Sequence, residues 1–118
     1  MKKALVLDTE GNFTTTDLTD GDEYKNLVRI VGGYIQAVPF TESITLWVNE
    51  EGKMDRLPEN SKATKIWEHF YGKTDFIVGN AVFTGGTDEK GDTIALSDNA
   101  EELLRYIVRD VSNVESMV

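Results

Sequence analysis

The sequence predicts an α+β domain: a mixed or mainly antiparallel sheet of about five to six strands with three helices. Three observations predict it. Short apolar or alternating runs recur between turn residues. Three other segments carry apolar residues at helical spacing, bounded by cap signals. These elements follow one another as ββα, ββ, α, ββα, so adjacent strands pair most simply as hairpins. With 118 residues there is room for one hydrophobic core, hence a single domain over 1–118.

The first strand is expected over Lys3 to Thr9, where Ala4, Leu5, Val6 and Leu7 form a continuous apolar run. Glu10-Gly11-Asn12 turns the chain, and Phe13 to Asp17 returns as a Thr-rich partner. A helix then starts at Asp20. Asp20 and Glu23 have capping-box spacing, and Asp22 and Glu23 suit the positive end of the helix dipole. Tyr24, Leu27, Val28 and Val31 share its apolar face, and Gly32-Gly33 stops it.

Tyr34 to Phe40 and Ile44 to Asn49 read as a second hairpin, with Ile44, Leu46 and Val48 on one face and Thr45, Trp47 and Asn49 on the other. Met54 to Leu57 reads as a short continuation. Pro58 opens the second helix, capped by Asn60 or Ser61, with Ala63, Ile66, Trp67 and Phe70 inward and Gly72 as its stop. Asp75 to Thr84 is the strongest strand and is expected to be central. A polar loop over Gly85 to Asp92 leads to a short strand over Thr93 to Leu96. The last helix pairs Asp98 with Glu101 as a capping box and carries Ala100, Leu103, Leu104, Ile107, Val108 and Val111 as its stripe. Residues 112–118 are expected to fray. All three helices are expected on one face of the sheet.

Composition narrows the function classes. Hydrophobic residues make up 40% and charged residues 28%, too apolar for a disordered chain. No apolar run is long enough to span a membrane. The run after Lys2-Lys3 is cut by Asp8 and Glu10 before a secretory core can form, so a mature, cytoplasmic N-terminus is expected. The absence of cysteine excludes disulfides, thiolate metal sites and cysteine nucleophiles. Twelve basic residues against twenty-one acidic ones give a net charge of -9, which repels nucleic acid and anionic lipid.

Candidate chemistry is sparse. His69, the single histidine, lies on the polar side of its helix, where a solvated role is the plainer reading than a Ser-His-Asp base. The clusters Asp17, Asp20, Asp22-Glu23 and Asp88-Glu89, Asp92 lack the glycine and glutamate spacing of a calcium loop and already suit caps and turns. Gly79 to Gly86 matches no phosphate-binding pattern, and Gly85-Gly86 reads as a hairpin tip. No metal or cofactor is implied. The basic pairs are more informative. Arg105 and Arg109 stand four apart on the last helix and can clamp an anion, with Tyr106 beside them as a stacking surface. Lys25 and Arg29 repeat the spacing on the first helix. Pairing of Arg105 with Glu101 or Glu102 is the plainer alternative. Trp67 reads as core, and Trp47 as a contact or ligand surface.

Several stretches also carry a family resemblance. They are Val31-Gly32-Gly33-Tyr34-Ile35, Leu46-Trp47-Val48-Asn49-Glu50-Glu51-Gly52-Lys53, Leu57-Pro58-Glu59-Asn60, Ala63-Thr64, Trp67, and Asp75 through Asp88. In this order they resemble small proteins of the uncharacterised family domain of unknown function 3846, over about residues 23 to 98. The resemblance implies an origin in phages or other mobile elements and transfers no functional residue.

The expected function is therefore a non-enzymatic accessory protein in the host cytoplasm. Counter-defence is favoured, by sequestering a nucleotide immune signal or blocking a host defence protein. The alternative is an acidic DNA mimic that inhibits a nucleic-acid-binding enzyme. Apolar surface around Trp47 leads us to expect a homo-oligomer, most simply a two-fold dimer.

Overall fold

The computed structural model describes residues 2–19 and 21–117, with side chains as far as Arg109. The strands are β1 (Lys3–Leu7), β2 (Phe13–Asp17), β3 (Ile35–Thr41), β4 (Ile44–Asn49) and β5 (Ala81–Thr84). The helices are α1 (Glu23–Val31), α2 (Ser61–Tyr71) and α3 (Asp98–Met117). One five-stranded sheet forms in the order β2-β1-β5-β4-β3, and every pair is antiparallel. The α+β class holds, and the sheet is wholly antiparallel.

Strand alternation separates two cores. Leu5, Leu7, Leu46 and Phe83 point to the face covered by α2 and α3, where they meet Ile66, Ala100 and Leu104. Ala4 and Val82 point the other way, to Leu27 and Val31 of α1. The helices therefore sandwich the sheet, contrary to the one-face expectation. The reason is parity: Ala4 and Val82 are as apolar as their neighbours and also need cover.

Local chemistry fixes the ends of the helices. The side chain of Asp22, not Asp20, caps α1 by accepting from the Lys25 amide; Asp20 itself lies outside the described residues. Gly32 closes the helix at φ 83°, a conformation that costs a side chain but not glycine. Asn60 caps α2 through the Ala63 amide. Ser97 caps α3 through the Ala100 amide, which leaves Asp98 and Glu101 free to bind Lys3. The expected frayed tail at 112–118, like Val111, falls outside the described side chains.

Three strand expectations change. Residues 54–56 form turns. Of Asp75 to Thr84 only Ala81–Thr84 is strand, and it is central as expected. Residues 77–79 give their backbone groups elsewhere. Ile77 O accepts from the Asn60 amide and Ile77 N donates to Thr64 Oγ1, while Gly79 N donates to Pro58 O. The 93–96 segment forms only an isolated antiparallel bridge, Thr87 with Thr93, flanked by Gly85 N to Ile94 O and Ile94 N to Gly86 O, while Leu96 N donates to Lys3 O. Gly85-Gly86 is not a hairpin tip. A Cβ on Gly85 would lie 2.5 Å from Ala95 O, and one on Gly86 only 2.1 Å from Glu42 O. These glycines let three backbone segments cross in contact.

Candidate functional site

Helix α3 presents its chemistry because its stripe is anchored. Leu104, Ile107 and Val108 are buried, which turns Tyr106 and Arg109 outward and leaves Arg105 half-exposed. Arg105 Nε donates to Glu101 Oε2 at 2.9 Å, so the intrahelical pair forms. Its guanidinium also lies over the ring of Phe13, 5.0 Å from the centroid, at the start of β2.

The arginine pair faces two environments. On one side, a shallow groove of about 670 Å³ runs past Asp98, Glu101, Glu102 and Tyr106. Lys3 donates to Asp98 and Glu101, and these bonds hold both carboxyls below their usual range and lift the ammonium above its own. Arg105 pulls the Glu101 carboxyl down further. On the other side, Phe13, Lys62, Val108, Arg105 and Arg109 line a shallow, open depression of about 280 Å³. Lys62 Nζ donates to Gly11 O at 2.9 Å, which holds that ammonium at the corner. Three cationic side chains line this second side, and one of them, Arg105, is already paired with Glu101.

The structure does not bring the remaining candidates to α3. Lys25 and Arg29 ride on α1, across the sheet, where Arg29 donates to Asn26 Oδ1. Trp47 also lies on the α1 face, and its indole donates to the buried Thr84 Oγ1 at 2.8 Å. Beside it Ala37, Pro39, Thr45 and Thr87 line an open groove of about 820 Å³. His69 is exposed and edge-on to Phe70. The acidic clusters take turn and cap roles. Asp17 accepts from Thr19 and the Lys2 amide, and Asp88 from the amides of Lys90 and Asp92. Among the described residues no three His, Cys, Asp or Glu side chains converge as metal ligands. No helix of the described residues is long and apolar enough to cross a membrane.

The family model for a domain of unknown function (DUF3846) matches residues 1–108. The chain belongs to this family. In this DUF3846 chain the match includes the whole sheet, α1 and α2, and Arg105, and it stops one residue before Arg109. No curated protein and no solved structure matches the chain.

Three asparagines in the resemblance stretches prove to be staples. Asn60 is 1% exposed and donates to Leu7 O and Gly79 O while capping α2. Asn49 accepts from the Glu51 amide and donates to Val31 O, and Asn80 donates to Ile30 O. Asn60 ties the start of α2 to β1 and to the 77–79 segment, and Asn49 and Asn80 tie the end of α1 to the sheet. Sequence reading missed Phe13 and Lys62 as partners of Arg105. No spacing signal links positions so far apart in the chain; only the packing of β2, α2 and α3 does.

Proposed function

We propose that this protein is a non-catalytic accessory protein of phages or other mobile elements, active in counter-defence. In this reading it captures a phosphate-bearing nucleotide signal at the corner formed by Lys62, Arg105 and Arg109. One observation carries the reading: Lys62, Arg105 and Arg109 line one groove with Phe13 in a chain whose net charge is -9. The Phe13 ring and the Glu101 carboxylate restrain the Arg105 side chain, so less side-chain freedom is lost when a phosphate binds. Exposed Arg109 is open to the incoming anion, and Lys62 can turn from Gly11 O to a phosphate oxygen. Blocking of a host defence protein is the same class of action with a larger partner. The acidic-mimic alternative gains little from carboxylates such as Asp8, Asp17, Asp22 and Asp88, which serve turns and caps.

Assembly belongs to the same proposal. The partly exposed Trp47 face is open to a second copy, and a dimer would scatter light at twice 13.2 kDa.

Calorimetric titration with a panel of mono- and dinucleotides tests the site. Arg109→Ala is expected to weaken binding about ten- to a hundredfold, the loss of one charge-assisted bond of about 1.5–3 kcal/mol. Its melting temperature should stay nearly that of the wild type, because exposed charge pairs contribute little. No nucleotide binding by the wild type, or equal binding by Arg105→Ala and Arg109→Ala, overturns the assignment.

A further inference from the structure

A second cavity lies far from the arginines, where the end of β4, helix α2 and the 75–78 segment meet. It encloses about 210 Å³, room for one ring or a short aliphatic group. Buried Val48 and Ile77, with half-buried Val38 and Trp67, supply its apolar lining, and Gln36 and Asn49 add polar surface. Glu50, Lys53 and Asp75 form a charged rim of two carboxylates and one ammonium. Phe76 sits at the mouth, 48% exposed.

The rim already displays one kind of recognition. Lys53 donates to Asp75, and its ammonium stands 4.4 Å from the centroid of the Phe76 ring. The chain's own alkylammonium is thus held by a carboxylate and an aromatic face together. This bonding keeps the Asp75 carboxyl below its usual range. Glu50 is exposed and makes no ion pair among the described residues. The whole-molecule charge of -9 draws cations toward this mouth.

The lining comes from four separate parts of the chain: β3, the end of β4 with the turn after it, α2 and the 75–78 segment. Turn geometry accounts for Asn49, which accepts from the Glu51 amide. It does not account for Lys53, Trp67, Asp75 and Phe76 meeting at one opening.

We propose that this cavity binds a small organic cation, an amine on a single ring or short chain. The apolar part fills the space between Val38, Val48 and Trp67, and the ammonium pairs with Glu50 and Asp75 against Phe76. Lys53 is then an internal competitor: its ammonium occupies the cation position until a ligand displaces it.

Amide chemical-shift mapping of the full chain with benzylammonium chloride tests this, with benzoate as the charge-reversed control. Saturable shifts at residues 48–53 and 75–78 are expected, with affinity on the order of millimolar for so small a probe. Glu50→Gln, an exposed substitution, should weaken binding about tenfold. Lys53→Met should tighten it several-fold by removing the competitor, whereas a purely structural Lys53–Asp75 strap predicts no gain. Absence of saturable shifts, equal binding of benzoate, or unchanged binding in Glu50→Gln overturns the proposal. Nucleotide titration at the α3 corner reads out separately, so the two sites can fail independently.

Discussion

The two faces of the sheet are covered to different degrees. On one, α2 and α3 lie side by side and bury Leu5, Leu7, Leu46 and Phe83 completely. On the other, nine-residue α1 covers Ala4 and Val82 but leaves Trp47 partly exposed beside the open groove. A single short helix is narrower than five strands, so part of that face stays accessible. Stability and contact surface are thus divided between the two faces. The closed face holds the main core, and the α1 face keeps surface for a partner.

Paired truncations test whether the two faces are packed to different degrees. Leu104, fully buried on the closed face, should cost about 3–5 kcal/mol as Leu104→Ala, with little collapse of the surrounding core. Leu27, 2% exposed under α1, should cost about 2–3 kcal/mol as Leu27→Ala, because that thinner layer can relax. Urea unfolding of both variants measures the gap, and equal losses would mean the α1 face is as tightly packed as the other.

A smaller effect is expected at the edge of the covered area. Trp47→Phe removes the donor to Thr84 Oγ1, yet that hydroxyl keeps its own bond to Gly85 O. The loss should be about 1 kcal/mol in the same assay. A markedly larger loss would show that the indole supports the α1 face more than its exposure implies.

The smallest effect concerns acid. Hydrogen bonds from the Thr19 hydroxyl and amide, then from the Lys2 amide, hold the Asp17 carboxyl down at about 2, against its ordinary 3.8. Asp17 ends β2 and precedes Leu18, which is buried on the α1 face. Since the folded value is depressed, the stabilisation is complete above the unfolded value and fades as pH falls from about 4 toward 2. Asp17→Asn should therefore flatten the fall in melting temperature over that window, by a small amount because the residue is only partly buried and solvent screens its charge. An identical acid profile would show that these bonds do not couple to folding.

Much of the fold was legible because its signals are local. β2 and β4 have the predicted bounds, and α2 has its predicted cap and stop. Failures came where a side chain or a distant backbone segment outbid local propensity. Residues 77–79 look like strand, yet they bond to 58–60 and to Thr64. Asp98 looks like a cap, yet Ser97 caps and Asp98 pairs with Lys3. The candidate sites were legible only in part. The i,i+4 spacing put Arg105 and Arg109 on one helix face, and both indeed border the same grooves.

By itself, then, the sequence determined the α+β class, most helix and strand positions, the acidic charge and the arginine pair. Each follows from periodicity, capping or composition, which act between residues a few positions apart. The tertiary structure alone decided that α1 lies opposite the other helices and that Gly85-Gly86 forms a crossing. It also set Phe13 and Lys62 beside the arginines, and Lys53 against Asp75 and Phe76. Those outcomes depend on contacts between residues distant in the chain, which form only when two-sided strands must bury both faces at once.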